Sequence, residues 1–178
     1  TDKQGIKYIY GGEGAVLKGT ITDASGQSRE VITEWKLKRV EETHGDYIEY
    51  VYETADEPVR GGLVAKAIYL KEVRAGNSGQ APHTVVVLEG SKQKRLKNNN
   101  ARYGFLTSSN RLLEKLTVHF QGSTLRSYAF TYGEGAFNKD VLTGVKQLDD
   151  KGAEVSYQNF DYYDDVQAAK GYVPFKNS

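Results

Sequence analysis

The chain has 178 residues, of which 38% are hydrophobic and 26% are charged, and its formal net charge is +1. This balance gives no electrostatic reason to expect nucleic acid or an anionic membrane as a partner. The absence of Cys excludes a disulfide framework and a thiolate metal site. No run approaches the roughly 20 apolar residues of a membrane helix, so we predict no membrane span.

Strand patterns dominate the first half of the chain. Short strands are predicted at 6–10 and 19–22. They precede a hairpin whose clearest part runs from Glu34 to Glu53. Its two strands are Val31–Val40 and Tyr47–Glu53, and the turn between them contains Gly45. A further strand is predicted at Leu63–Val73, with a helix as the alternative because Ala65 and Ala67 fit either. The run Thr84–Leu88 is rich in β-branched residues, which is typical of a strand buried on both faces.

The second half begins with the least structured stretch, residues 91–100. Tyr103–Leu106 predicts a short strand, and Asn110–Glu114 predicts either one helical turn or the lead into the next strand. Two further hairpins follow at 116–132 and 145–163, each with Gly in its turn and Tyr in its strands.

These patterns predict an all-β fold of roughly ten strands. We expect a mostly antiparallel meander of successive hairpins, curled or folded into a sandwich, with open edges. The chain starts at Thr1 and contains no Met, so we interpret 1–178 as a single β-rich segment of a larger protein. Within it, 1–163 carries the strand motifs and 164–178 is an irregular tail, with a helix over 166–170 as one option.

No catalytic pattern stands out. His44, His83 and His119 lack the spacing of a zinc site, and Gly14–Thr20 lacks both the Lys and the following helix of a phosphate loop. Two carboxylates are enough for glycoside hydrolysis, and the 23 acidic residues leave that alternative open. We nevertheless predict a protein that is not an enzyme and that has no cofactor or metal.

Basic residues crowd one loop ahead of Tyr103 and Phe105. A platform for single-stranded nucleic acid is one interpretation, and a solvated loop is the other. The balanced overall charge favours the solvated loop, so we predict no nucleic-acid partner. The basic residues are Lys92, Lys94, Arg95, Lys97 and Arg102.

Tyrosines recur at similar places in successive hairpins, where they could line a sugar-binding face or form cross-strand ladders that hold the sheet together. The recurrence favours ladders. The tyrosines are Tyr47, Tyr50, Tyr52, Tyr128, Tyr132, Tyr157, Tyr162 and Tyr163.

The order of these motifs over residues 2–163 resembles the SpvB-like virulence-plasmid B proteins and the insecticidal toxin-complex B proteins, which are related to the RHS/YD-repeat group. The usual Asp-x-x-Gly-Asn turn of that family is replaced by Glu42–Asp46, and Leu63–Leu88 matches only loosely. The matching residues are Gly5, Tyr8, Tyr10, Gly11, Trp35, Leu37, Gly45, Tyr50, Tyr52, Arg126, Tyr128, Tyr132, Leu142, Phe160 and Tyr162.

In that family, as the resemblance implies, hairpins coil into a shell, which in the toxin complexes encloses a toxic cargo. The resemblance therefore implies a non-catalytic structural segment of a bacterial β-shell that is secreted or at the cell surface. Its partners would be neighbouring segments of the same protein or a toxin partner, attached at exposed sheet edges. The alternative is a carbohydrate-binding β-sandwich of a secreted bacterial protein, with a glycan as its partner.

Overall fold

The computed structural model describes residues 1–162, which are almost entirely β, so the predicted all-β class is confirmed. Tyr163 and the predicted tail, including the helical option at 166–170, lie outside the described residues. The strands are β1 Lys7–Tyr10, β2 Val16–Thr22, β3 Ser28–Trp35, β4 Leu37–Glu41, β5 Asp46–Pro58, β6 Val64–Asn77, β7 Thr84–Glu89, β8 Asn99–Asn100, β9 Thr107–Ser108, β10 Lys115–Phe120, β11 Ser123–Glu134, β12 Asp140–Leu148 and β13 Glu154–Asn159.

Nine strands form one antiparallel path in the order β1-β4-β5-β6-β7-β10-β11-β12-β13. The short β9 joins β6 in parallel at Lys66 and Thr107, and β8 pairs with β9. Strands β2 and β3 form a separate two-stranded sheet. Within residues 1–162, β1 pairs only with β4 and β13 only with β12, so the sheet is not closed into a barrel. The predicted meander with open edges is confirmed.

The predicted strand over Val31–Val40 is wrong as a single element, because it divides at Lys36 between two sheets. Strand β3 pairs with β2, whereas β4 pairs with β1 and β5. The backbone of Lys36 is held between the two sheets, because its N–H donates to the carbonyl of Ala15 and its carbonyl accepts from the N–H of Gly11.

Strand β7 is half-exposed rather than buried on both faces as predicted. Strands β6 and β10 pair with β7 on its two sides, but its two faces are not fully covered. Tyr103–Leu106 is not a strand, because the chain turns at Gly104 with φ of 84°. The alternative of a helical turn at Asn110–Glu114 is also wrong, since these residues lead into β10 without helix.

The core is small and lies where the β2–β3 sheet packs on the outer half of β6. Leu17 of β2 and Ala65 and Ala67 of β6 are buried there. The ring of Phe105 covers Gly19, where an added Cβ would lie 2.5 Å from the ring carbons. Elsewhere most strand residues are only half-buried, so the greater part of the sheet is one layer thick.

The exposed surface shows how little of the sheet is covered. The chain exposes 12227 Å², whereas a compact monomer of its mass exposes about 8,600 Å². The excess is larger than the roughly 2,500 Å² that residues 163–178 would add even as fully extended chain. The sheet itself is therefore more exposed to solvent than a compact domain of the same mass.

Three turns share an Asp-x-x-Gly pattern that fixes the chain reversal. In the last of them, Oδ1 of Asp149 accepts the N–H groups of Lys151 at 2.9 Å and Ala153 at 2.8 Å. Gly152 follows with φ of 85°, a conformation that glycine adopts without strain. Asp2 and Asp23 accept two backbone N–H groups in the same way.

The turn of the first hairpin departs from this pattern at Glu42. It has the same two backbone hydrogen bonds, in which the N–H of Glu42 donates to Asp46 and the N–H of Gly45 donates to Glu42. However, the side chain of its first residue, Glu42, is one methylene longer than the Asp of the other turns. Within residues 1–162, the Glu42 carboxylate accepts no hydrogen bond from the N–H groups of the turn.

We predict that Glu42→Asp raises the free energy of unfolding by about 0.5 kcal/mol, because the shorter carboxylate reaches the two turn N–H groups. Asp149→Ala should lower the free energy of unfolding by about 1 kcal/mol, because the N–H groups of Lys151 and Ala153 lose their shared acceptor. Urea denaturation of both variants measures the effects. Equal stability of Glu42→Asp and the unaltered chain would contradict this explanation of the turn.

Candidate functional site: tyrosine clasps across the sheet

Three tyrosines donate their hydroxyl groups to backbone carbonyls at the start of the preceding strand of their own hairpin. We call each of these bonds a tyrosine clasp. The pairs are Tyr52 with Leu37 at 2.8 Å, Tyr132 with Leu113 at 2.7 Å, and Tyr162 with Leu142 at 2.7 Å.

The clasps occupy the same register position in each hairpin. Arg39 faces Glu49, so two residues earlier Leu37 lies opposite Val51, directly before Tyr52. In the hairpin of β10 and β11, Lys115 faces Ala129, so Leu113 lies opposite Thr131, directly before Tyr132. In the hairpin of β12 and β13, the pairs likewise place Leu142 opposite the residue directly before Tyr162. The three hairpins are therefore equivalent at their open ends, and they differ in length only towards their turns.

The hairpins are also aligned with one another. Tyr52 faces Leu70 of the next hairpin, and Tyr132 faces Leu142 of the next hairpin. Each pair follows a register shift of the same kind. This alignment places Leu70 in the same row across the sheet as the clasp leucines.

Partial burial favours the neutral, donating form of the Tyr52 and Tyr132 hydroxyls. Burial raises the pKa of Tyr52, with a smaller contribution from Tyr50. Burial also raises the pKa of Tyr132, with further contributions from Glu114 and Asp140. Such a hydrogen bond contributes about 0.5–1.5 kcal/mol, and more is lost when its buried partner is left unsatisfied.

The opening motif lies at one edge of the sheet. Tyr8 and Tyr10 are exposed on β1, and the hydroxyl of Tyr8 is 3.4 Å from Asp2. Gly11 lies against the ring of Trp35, because a Cβ there would be 2.7 Å from Cδ1 of the indole. The structure therefore brings Gly11 and Trp35 together, although the indole remains 58% exposed.

The remaining motif residues fall within turns and strands. Gly5 and Gly45 are the positive-φ residues of their turns. Tyr50 and Tyr128 are half-buried. Their hydroxyls make no hydrogen bond within residues 1–162.

Two motif positions lie near the far edge. Arg126 is exposed on β11. Phe160 takes the place in the third hairpin that Tyr50 has in the first, and its N–H donates to the carbonyl of Thr143.

The sequence predicted cross-strand tyrosine ladders, and in the structure three tyrosines make cross-strand hydroxyl–carbonyl bonds. The ring pair present in residues 1–162 joins His83 and Phe120 at 6.1 Å, and it includes no tyrosine. The recurrence of Tyr was visible in the sequence, but its bonding partner on the backbone was not.

The segment 90–114 folds over the sheet and is tied to it by charged side chains. Arg111 donates to Glu57 at 2.8 Å and to Glu53 at 2.6 Å, and its guanidinium lies 4.6 Å from the ring centre of Tyr69. Burial alone would lower the pKa of Arg111, but the two carboxylates raise it. This cluster was not identified from the sequence, because Arg111 lies more than fifty residues from both carboxylates in the chain.

The basic loop is used within the protein. The guanidinium of Arg95 donates to Asp140 at 2.5 Å and to the carbonyl of Gly133 at 3.0 Å, and Lys94 donates to the carbonyl of Ser109. These bonds give Arg95 and Lys94 a structural role. Over the described chain, no group of three metal-binding side chains converges, and no helix has the length and apolarity to cross a membrane.

We predict that Tyr132→Phe lowers the free energy of unfolding by about 1 kcal/mol, because the Leu113 carbonyl loses its donor. Tyr52→Phe should cost a similar amount. Tyr128→Phe and Tyr50→Phe are matched controls on the same strands and should change stability by less than about 0.5 kcal/mol. Urea denaturation distinguishes the pairs, and equal losses in clasp and control variants would disprove the clasp.

A second prediction concerns Glu114, whose pKa is lowered mainly by the N–H groups of Ser91 and Lys92. A lowered pKa stabilises the fold above the ordinary value of 4.5, and this contribution is lost as the pH falls through the folded pKa. Glu114→Gln should therefore reduce the urea midpoint at pH 7, and the difference should shrink below about pH 4.5. A difference that is independent of pH would contradict the assignment.

No family model and no curated protein matches this chain. Solved structures do match. A crystal structure of TcdB2-TccC3-TEV has a TM-score of 0.60 at 15% identity, with 85% of this chain and 9% of that chain covered. The N-terminal domain of the effector protein SpvB from Salmonella typhimurium strain LT2 has a TM-score of 0.58 at 15% identity, with 83% and 59% covered.

The Photorhabdus luminescens Tc holotoxin pore also matches, with a TM-score of 0.58 at 15% identity and with 85% of this chain and 9% of that chain covered. The chain thus spans about a tenth of the Tc chains and about three fifths of the SpvB domain. The resemblance read from the Tyr and Gly motifs is confirmed at the level of the fold, which this chain shares with parts of SpvB and of the Tc toxins.

Proposed function

We propose that the chain is a non-catalytic structural segment of a toxin-related bacterial β-shell, secreted or at the cell surface, and that it joins neighbouring segments through its edge strands. The observation that carries the proposal is the open sheet. Strands β1 and β13 end the antiparallel path, and all residues of both strands are exposed.

The chemistry of β13 supports pairing with another strand. Val155 is 61% exposed and Tyr157 is 48% exposed. Thus β13 presents apolar side chains along an edge that pairs with no other strand within residues 1–162. Soluble proteins usually protect such an edge with charge, proline or a covering element. An added strand would satisfy the backbone groups and cover these side chains.

The shared fold supports the larger setting. The similar Tc chains are about ten times as long as the aligned part, so in them this fold is one region of a large polypeptide. Enclosure of a cargo by such a shell is part of the proposal, and it rests on the family resemblance. None of the similar structures is described as binding a glycan, and no specific observation favours the carbohydrate-binding alternative.

The direction of the edge amides allows a sharp test. The N–H of Phe160 donates to Thr143 of β12. Because successive amides in a strand point in opposite directions, the N–H of Gln158 also points to β12 and the N–H of Asn159 points away. An added strand would bind the Asn159 side.

We predict that the amide of Asn159 exchanges hydrogen rapidly in this chain alone and at least about tenfold more slowly in the complete gene product, where a neighbouring strand covers it. Hydrogen exchange with mass spectrometry or NMR measures both states. Equally fast exchange in the complete product, or a reading frame without further strand-forming sequence, would refute the proposal.

Proline variants provide the matched control in the complete product. Asn159→Pro removes the outward N–H and two long, exposed side-chain contacts with Tyr157 and Asp161, but no bond to β12. This chain alone should therefore keep its stability while the complete product loses protection at the junction. Gln158→Pro removes an inward bond and should destabilise both. Equal effects of the two variants in both proteins would show that no strand pairs with the outer side of β13.

A further inference from the structure

The hairpin formed by β6 and β7 lies between the first two clasped hairpins and has no tyrosine clasp. Leu70 stands in the row of clasp leucines, facing Tyr52. Glu72 faces Val87, so Leu70 lies opposite Glu89 and the clasp position is the next residue, Gly90. Glycine supplies neither the ring nor the hydroxyl.

A cleft of about 330 Å³ lies at this position. This volume is at the lower limit of small-molecule sites, and it suits one aromatic ring rather than a larger ligand. The cleft opens at the surface beside β6 and β7. Its lining includes Tyr69, Leu70, Leu88, Gly90, Arg111 and Leu112.

The chain cannot fill the cleft from position 90. A Cβ added to Gly90 would lie 2.2 Å from the carbonyl oxygen of Leu112, because segment 90–114 folds back across it. A flexible side chain could move away from such a Cβ, but the backbone of Leu112 cannot do so without displacing the segment. A ring in the cleft must therefore come from another segment.

The walls offer an aromatic ring both packing and polar contacts. Leu70 and Leu88 supply apolar surface. The guanidinium of Arg111, held by Glu57 and Glu53, is fixed at the cleft wall, where a cation attracts a ring face. Within residues 1–162, no side chain donates to the carbonyl of Leu70, the atom that corresponds to the clasp acceptors.

We propose that this cleft binds a tyrosine side chain from a partner polypeptide segment. The ring lies between Leu70 and Gly90, and the hydroxyl donates to the Leu70 carbonyl, which completes the fourth clasp of the row. The assignment of tyrosine follows from the three occupied positions, each of which holds a tyrosine hydroxyl on the equivalent leucine carbonyl. The site acts independently of the strand pairing at β13.

The test uses N-acetyl-tyrosinamide as the probe and N-acetyl-phenylalaninamide as its match without the hydroxyl. In NMR titrations of the unaltered chain, the tyrosine probe should shift the amides of Leu70 and Gly90 with a Kd on the order of 1–10 mM. The phenylalanine probe should bind about three- to tenfold more weakly, because it cannot donate to the carbonyl. Shifts without this location, no shifts, or equal affinities would overturn the proposal.

A pair of variants checks the location. Leu88→Phe fills the cleft and should abolish binding of the tyrosine probe, whereas Leu125→Phe, at an exposed site on β11, should leave it unchanged. Unchanged binding in Leu88→Phe would overturn the site. If Leu88→Phe does not fold, the two probes on the unaltered chain still decide the question, and hydrogen exchange at β13 remains a separate test of the shell.

Discussion

The hydrogen bond from a tyrosine hydroxyl to a leucine carbonyl addresses the main physical problem of this fold. A sheet one layer thick cannot bury both faces of its strands, so it lacks the hydrophobic core that holds most domains together. Its hairpins must be fastened locally. The clasp does this at the open end of a hairpin, where the hydroxyl of Tyr52 donates to the carbonyl of Leu37. The Asp-x-x-Gly turn does it at the closed end, as at Asp149.

The two devices together explain the composition. Tyrosine combines a large apolar ring with a polar tip, and it therefore serves on strands that are only half-buried. Aspartate and glycine are concentrated in turns because one caps backbone N–H groups and the other adopts positive φ. A chain built in this way gains stability from each hairpin separately, much as a repeat protein gains it from each repeat and its neighbour.

The sequence predicts those parts of the fold that depend on local pattern. Alternation and Gly turns identify the hairpins at 34–53 and 116–132, and the spacing of Tyr marks residues that prove equivalent in register. The clasps themselves were not predictable, because tyrosine follows its leucine by 15, 19 or 20 residues. The three hairpins differ in strand length, in turn length and in register shift, so no fixed period exists. The Arg111 cluster depends on the path of segment 90–114, which carries no periodic pattern.

The missing clasp and the long connection after β7 are one structural feature. The chain leaves the sheet at Gly90, the clasp position of the β6–β7 hairpin, and returns at Leu113. The excursion needs room for the Leu112 carbonyl, and only glycine provides it. Arg111 then anchors the returning chain to β5, and Arg95 anchors the outgoing chain to Asp140 of β12. The row of clasps is therefore interrupted where segment 90–114 covers the sheet, and the cleft lies between this segment and strands β6 and β7.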